Sequence, residues 1–516
     1  MNLYLGLDSS TQGLKAIIID PATGEIIYSE QVNYSRDLAE YNCPDGVLNN
    51  PDPLIKHADP LMWAAALDLL FSKMQHKGAP LGDVCAISGS GQQHGSVYLN
   101  SSFTTMLKNL TSSANLASQI KPALSRTTSP IWLDSSTSAE CEELMNRFGT
   151  KMQQTTGSPA IERFTGPQIR KLFKTEPELY AATETIHLVS SFMASLLCGA
   201  NAPIDYGDGA GMNLLNLKTM QWDNEIVEFT APGLLKKLPP VVSSSTVAGQ
   251  LHHYFTKYGL KNGLPIVVWS GDNPCSLTGS GATSGAAVIS FGTSDTLFAI
   301  MEQFKVDPQG YGHLFGNQSG GVMSLICFTN GSLAREKIKT NFNVDWEWFD
   351  NEAFALTPPG NNGNMLLPYF VPETTPLIST PTVKRQGTEQ FCVGNGSAAE
   401  NIRAVVEAQI MNIKLHSQWI SDKFNTIRVT GGASQSQGLC QTVADIFQTR
   451  VEKISIPDSA ALGSAMWAAT TVGQFDLNEL NEKFTQAAEI IMPNIQTASI
   501  YAKMTKQFAT FQAAAK

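Results

Sequence analysis

Leu3-Tyr-Leu-Gly-Leu-Asp8-Ser-Ser-Thr11-Gln-Gly13-Leu-Lys-Ala-Ile-Ile-Ile-Asp20 reads as two apolar strands joined by a short polar turn. The same arrangement returns in Ala286-Ala-Val-Ile-Ser-Phe291-Gly292-Thr293-Ser-Asp295-Thr-Leu-Phe-Ala-Ile-Met301. A third apolar run follows each pair, Glu25–Val32 in the first half and Val322–Phe328 in the second. Strands joined this way make an antiparallel meander. The repeat is weak as sequence identity and clearer as an arrangement, and it points to an internal duplication. Each turn offers backbone N–H groups and a Thr hydroxyl that suit phosphate oxygens. Taken in isolation, turns of this composition are more often ordinary hairpin turns.

Working outward, 516 residues are too many for a single core, so two or more large domains are expected. A net charge of −10 argues against nucleic acid or an anionic membrane as the main partner. An anionic ligand would then be held by backbone N–H groups and helix N-termini rather than by a basic patch. The eight cysteines are scattered with no C-x-x-C pair, the pattern of reduced thiols in a cytoplasmic protein. The start, Met-Asn-Leu-Tyr, shows no basic signal-peptide region, and the apolar patch near His187–Cys198 is too short to span a bilayer. P-loop, zinc, Gly-x-Ser-x-Gly and Arg-rich patterns are missing from the sequence.

Four further stretches carry chemistry. Val84-Cys-Ala-Ile-Ser88 is a strand that ends in Gly89-Ser-Gly-Gln92-Gln93-His94-Gly95, polar side chains after a glycine turn at a sheet's carboxyl end. Adjacent glutamines suit a hydroxyl-rich ligand because amides both donate and accept, whereas a lone His is commonly structural. Ile131-Trp-Leu-Asp134 reads as another strand end carrying a carboxylate. Ile266-Val-Val-Trp-Ser-Gly271-Asp272-Asn273-Pro274 places an aspartate on a buried strand end, ahead of a helix rich in small residues. A carboxylate so mounted suits a general base, but Asp before Asn-Pro is also a common Asx-turn or N-cap. Ile427-Arg-Val-Thr430-Gly431-Gly432-Ala-Ser-Gln-Ser436 is strand, Gly-Gly turn and helix start, a setting for an anionic or nucleotide ligand. Elsewhere, residues 34–60 read as a long irregular loop, Pro60 opens a helix to Met74, and His187–Leu197 reads as a buried helix. Ile204-Asp-Tyr-Gly-Asp-Gly-Ala-Gly is a glycine-rich turn that borders a pocket or merely closes a loop, and Ala460–Thr471 is a small-residue helix able to pack closely.

Taken in order, Leu5-Gly-Leu-Asp8-Ser-Ser-Thr11, Ser88–Gly95, Trp132-Leu-Asp134, Gly271-Asp272-Asn273, Phe291-Gly-Thr293-Ser294 and Val429-Thr-Gly431-Gly432-Ala-Ser434 with Ala444-Asp445-Ile-Phe resemble the FGGY carbohydrate kinases. Within that family, Glu162-Arg163-Phe-Thr-Gly166 and Asn330-Gly331-Ser332-Leu333-x-Arg335-Glu336-Lys337 are similar to the animal-type xylulokinases. The resemblance implies an α/β chain of two duplicated actin-like, ribonuclease H-like ATPase domains with an interdomain cleft. It implies a sugar-binding domain over 1–280 and a nucleotide-binding domain over 281–516. The implied reaction is in-line transfer from ATP, with Mg²⁺, to the C5 hydroxyl of D-xylulose.

Residue by residue, the resemblance makes Asp272 the base and sets His94, Gln93, Arg163 and Asn273 on the sugar. Asp8, with the turn to Thr11, and Gly292 with Thr293 would face the phosphates and the metal. Gly431, Gly432 and position 436 would lie beside the adenosine, with Trp346 stacked near the adenine. Ser436 departs from the expected Asn and loses an amide there, and Pro368-Tyr-Phe-Val-Pro-Glu373 keeps part of the family pattern. A kinase for ribulose, fuculose or glycerol, a nucleotide-driven protein of the actin and chaperone kind, and a sugar-sensing regulator are the alternatives. Oligomeric state stays open, a homodimer included.

Overall fold

A computed structural model describes residues 2–514. The chain forms two compact units. The first takes residues 1–281 together with Leu314–Val322 and Pro457–Thr485, and the second takes Ala282–His313, Met323–Ile456 and the chain from Gln486 onward.

The first unit is built on strands β1 (Leu3–Ser9), β2 (Gly13–Asp20), β3 (Glu25–Asn33), β4 (Val84–Gly91), β5 (Val247–Gln250), β6 (Pro265–Val267) and β7 (Ser270–Gly271). Their order is β5-β6-β4-β1-β2-β3, with β7 also on β4. β1 runs antiparallel to β2 and parallel to β4, which puts Asp8 opposite Ser90. All seven residues of β1 are buried, as expected of a central strand covered on both faces. Helix Pro60–His76 opens as expected, with Pro60 in the first turn and the Asp59 side chain capping the Leu61 N–H. Its Trp63, Leu67, Leu70 and Phe71 enter a core that includes Leu5, Ile87, Phe192 and Trp269.

The second unit repeats this plan with β8 (Ala286–Phe291), β9 (Asp295–Met301), β10 (Val322–Phe328), β11 (Thr426–Thr430), β12 (Arg450–Lys453) and β13 (Glu489–Ile491). The order is β10-β9-β8-β11-β12-β13. β8 is antiparallel to β9 and parallel to β11, and β11 is parallel to β12. Thus β8 and β11 stand to one another as β1 and β4 do, and the duplication read from the sequence is a duplication of sheet order.

The small-residue helix Ser459–Gly473 belongs to the first unit although it lies late in the chain. It lies on β1 and against helix Asp272–Gly279, and glycine makes both approaches close. A methyl group on Gly279 would run into the Ser459 carbonyl, and one on Gly463 into the Cys275 carbonyl. At Gly6 it would stand 2.5 Å from the Ala465 nitrogen.

Several local expectations change. The strand after Pro265 breaks at Val268–Trp269 before resuming as β7, so Asp272 follows a two-residue strand. Ile131–Asp134 is a turn, closed by the Asp134 N–H on the Ile131 carbonyl at 2.9 Å, because the short strand ends at Pro130. The segment over 34–60 contains helix Tyr34–Asp37 and two single-turn helices. His187 and Leu188 are strand, and the buried helix is Val189–Cys198. Among the described residues no helix is long and apolar enough to cross a membrane, and all eight cysteines are free thiols.

Candidate active site

In the first unit, parallel pairing of β1, β4 and β7 gathers three strand ends. Asp8 accepts a hydrogen bond from Ser90 Oγ at 2.7 Å on the neighbouring strand. Asp272 opens its helix directly after β7. Gly271 is the cap residue, and Asp272 Oδ1 accepts from the Asn273 N–H at 2.8 Å and from Asn273 Nδ2 at 3.0 Å. The carboxylate therefore sits in the first turn, where the helix dipole favours negative charge.

Burial nevertheless dominates. It lifts Asp272 to about 7, with the like charge of Asp8 adding to it and the Asn273 and Gln93 N–H groups opposing. Asp8 is lifted to about 6, again by burial first, while the Ser90 hydrogen bond and Lys15 pull it down. Two carboxyl groups poised near neutrality in one site are the setting for proton transfer.

The Gln92-Gln93-His94 turn lines the same place. Gln93 Oε1 accepts from Asn273 Nδ2 at 2.7 Å, and Gln93 Nε2 donates to the Gly207 carbonyl at 3.4 Å. A side chain on Gly271 would press into the Gln93 amide, so the glycine there makes room for this contact. Gln92 Nε2 is a buried donor with no partner, which suits an incoming acceptor. Thr11 Oγ1 accepts from Trp132 Nε1 at 2.8 Å and donates to Gln92 Oε1 at 3.4 Å, which ties the first hairpin turn to this group.

His94 has φ of +70°, stacks on Phe164 at 4.3 Å and has Nδ1 2.8 Å from the Gly211 carbonyl. A carbonyl only accepts, so Nδ1 carries the proton and Nε2 is left as an acceptor. Burial and the charge of Arg163 depress its pKa to about 3, so the ring is neutral. Arg163 itself lies over the Phe164 ring, 5.5 Å from its centroid.

Two acids of the glycine-rich turn, read from the sequence as bordering a pocket or merely closing a loop, belong to this neighbourhood. Asp208 is fully buried, takes a hydrogen bond from Ser190 Oγ and has Oδ1 without a partner. Burial holds its pKa well above the ordinary carboxylate range, and Asp205 and Asp272 add to the shift. Asp205 caps the Asp208 N–H at 2.8 Å. The signal was Asp-x-x-Asp among glycines at 205–211. Asp134 has a different use: its oxygens accept from the Lys56 and Ser136 N–H groups, Ser136 Oγ and Gln168 Nε2, so it organises its turn.

In the second unit the candidate residues gather around β8 and β11. Gly431 has φ of +88°, and a side chain there would collide with the Phe291 carbonyl at the end of β8. Nothing lies within 4 Å of the position a Gly432 side chain would take. Ser436 is the N-cap of helix Gln437–Phe447, its Oγ accepting the Leu439 N–H at 3.3 Å, and it also bonds Asp350. Asp350 lies on helix Trp346–Leu356, whose first residue, Trp346, is half-exposed with Lys339 5.0 Å from its ring centroid.

The Gly292-Thr293 turn is held from behind. The Ser332 N–H donates to the Gly292 carbonyl at 3.0 Å, and Arg335 forks onto Asp295 at 2.8 and 2.9 Å. Gln409 Nε2 bonds the Asn330 and Gly331 carbonyls and its Oε1 accepts from Arg335. This buried clamp explains the Asn330–Arg335 motif, and sequence reasoning did not place Gln409 in it. Asp8, Thr11, Gln93, His94, Arg163, Asp272 and Asn273 thus lie in the first unit, and Gly292, Thr293, Trp346, Gly431, Gly432 and Ser436 in the second.

Comparison with known proteins bears on these two groups. Residues 3–279 match the N-terminal domain model of the FGGY family of carbohydrate kinases, and residues 287–472 match its C-terminal domain model. A xylulose kinase from Mus musculus is 38% identical over 98% of this chain and 93% of its own length. Xylulose kinase 2 from Arabidopsis thaliana is 38% identical over 91% of this chain and 87% of its own. Among solved structures, a ligand-bound xylulose kinase from Lactobacillus acidophilus superposes with a TM-score of 0.85 at 21% identity, covering 100% of this chain and 98% of that one. At that identity the superposition speaks for the fold, the two-domain sugar kinase and actin architecture. With a duplicated sheet, paired acids at one strand end and a Gly-Gly turn at the other, the chain belongs to the FGGY family of carbohydrate kinases.

Proposed function

We propose that this protein is an ATP-dependent xylulokinase that transfers the γ-phosphoryl group to the C5 hydroxyl of D-xylulose, with Asp272 as general base. The observation that carries the reading is Asp272 itself: a buried carboxyl at a rigid strand end, lifted to about 7 and held by Asn273 and Gln93. A base of that strength takes a hydroxyl proton as the bond to phosphorus forms and contributes about 10²–10⁴-fold. The xylulose kinases among its relatives support the choice of sugar.

In this reading 1–280 serves the sugar and 281–516 the nucleotide; Met1 and residues 515–516, at the ends of those spans, lie outside the described residues. Neutral His94 offers Nε2 to a sugar hydroxyl, and Gln93, Asn273 and Arg163 hold the remaining hydroxyls and the carbonyl. Gly431 and Gly432 let the adenosine approach the backbone, Ser436 caps the helix beneath it, and Trp346 offers an aromatic face. Gly292, Thr293 and Thr11 supply N–H and hydroxyl donors to the phosphates.

Asp8 fits a hard divalent cation such as Mg²⁺, because its charge is felt by the second buried carboxyl, Asp272, and a cation would relieve both. Bound there, Mg²⁺ would supply neutralisation of the phosphate charge. Free thiols throughout agree with work in the reducing cytoplasm.

An ADP-release assay across ketoses, aldoses and polyols tests the reading. D-xylulose should give the highest kcat/KM, and release that is independent of any sugar would overturn it.

A further inference from the structure

The first unit contains a second polar cavity that the phosphotransfer chemistry leaves unused. It has a volume of about 510 Å³, in the range of small-ligand sites, and lies between the segments 125–128 and 168–179. Arg126, Lys171, His57 and the hydroxyl residues Ser125, Thr127 and Thr128 form its polar wall. Arg126 is anchored by its plane, 5.3 Å from the Tyr98 ring centroid, and its Nη1 is buried with no acceptor. Lys171 Nζ is steered by Ser136 Oγ at 2.8 Å and the Ser136 carbonyl at 3.3 Å.

His57 sits between Thr128 Oγ1, 2.8 Å from Nδ1, and Asp134 Oδ2, 3.5 Å from Nε2. Burial, then the charge of Arg126, depresses its pKa to about 4, with Lys171 acting in the same direction. The ring is therefore neutral, which leaves Arg126 and Lys171 as the cations of the wall. One carboxylate lines the wall: Glu176 Oε1 stands 3.8 Å from Arg126 Nη2, with its side chain 48% exposed. Asp134 behind His57 already accepts from four protein donors, as described above.

A guanidinium and an ammonium on one cavity wall suit an oxyanion. Donors converging from an arginine fork, an ammonium and hydroxyls suit a tetrahedral group better than a planar carboxylate, which the fork alone would satisfy. The volume leaves room for an organic body beyond the anion. We propose that this cavity is a binding site for a small phosphate ester, its phosphate held by Arg126 and Lys171 and its polar body by the threonine wall.

Titration calorimetry of the full chain with inorganic phosphate and with glycerol 1-phosphate, on wild type, Arg126→Gln and Lys171→Gln, tests this. Loss of one charge-assisted contact should weaken binding about tenfold in either variant. The KM for ATP should stay unchanged, which separates this site from the nucleotide site. Tighter binding of glycerol 1-phosphate supports the ester, whereas equal binding of both would overturn the ester in favour of free phosphate. Wild-type binding that neither substitution weakens, or no binding at millimolar ligand, would overturn the site. Should Arg126→Gln fail to fold, Lys171→Gln, on a half-buried residue, decides the matter alone.

Discussion

The turn after β1 and the turn after β8 occupy the same place in two sheets of the same order, yet they are furnished in opposite ways. Around the first stand side chains with shifted protonation, Asp8, Asp272 and Asp208, and amides that lock onto one another. Around the second stand a crowded glycine, Gly431, and an open one, Gly432, with the Gly292 turn braced by a buried Arg335–Asp295 pair. One copy of the duplicated frame carries buried side chains with shifted protonation, and the other carries a glycine turn. In the proposed reaction a hydroxyl must lose a proton, which calls for a tuned base, whereas a nucleotide must only be held, which calls for space and N–H donors.

The contrast breaks most sharply at Asp272. Asp272→Asn should lower kcat by about 10²–10⁴-fold with both KM values within a few-fold of wild type. Turnover close to wild type in an ADP-release assay would remove the base from the first turn. Next, Gly431→Ala should destabilise the second unit by about 1–3 kcal/mol, through its positive φ and its clash with the Phe291 carbonyl. Gly432→Ala, with open space around it, should leave the melting temperature alone while raising the KM for ATP. If both glycines behaved alike, backbone openness would not be the feature that matters.

Smaller effects sharpen the picture. Substituting His94 or Arg163 should raise the KM for the sugar about tenfold and the KM for ATP far less; the reverse pattern would move these residues out of the sugar's reach. The pH dependence gives a signed check. The Asp272 proton is held more tightly in the folded chain than at the ordinary value of 3.8, so folding stability falls as pH rises from there toward about 7. The free enzyme's kcat/KM should rise over the upper part of that interval, as the base ionises. Asp272→Asn should therefore raise the melting temperature above pH 7 by about 2–4 °C, on the order of 1 kcal/mol, while activity is lost. A variant less stable than wild type at every pH would contradict the burial argument.

Much of this was legible because it is local. The hairpin repeat, Pro60 at its helix start and the strand–Gly-Gly–helix passage each follow from a few consecutive residues. The close packing of Ala460–Trp467 was legible from side-chain size, though its partner helix was not. What escaped depends on distant segments meeting. Asp208 becomes notable only when burial beside Ser190 and near Asp272 is known, because an acid among glycines is otherwise an ordinary turn. Asp134, a strand-end carboxylate by sequence, stands in a turn and takes four protein donors from segments 56, 136 and 168. The Gln409 contact with the Asn330 and Gly331 carbonyls spans more than 70 positions, beyond any local pattern.

The seam between Gly279 and Gly463 has a consequence for biosynthesis. Helix Asp272–Gly279, which opens on Asp272, is backed by residues the ribosome adds almost two hundred positions later. A nascent chain that stopped before Pro457 would hold the whole β1–β7 sheet but leave one of its faces, and the back of the Asp272 helix, open to water. The first unit is thus finished only after strands β8 to β12 of the second unit have been made, and the setting of Asp272 matures with it.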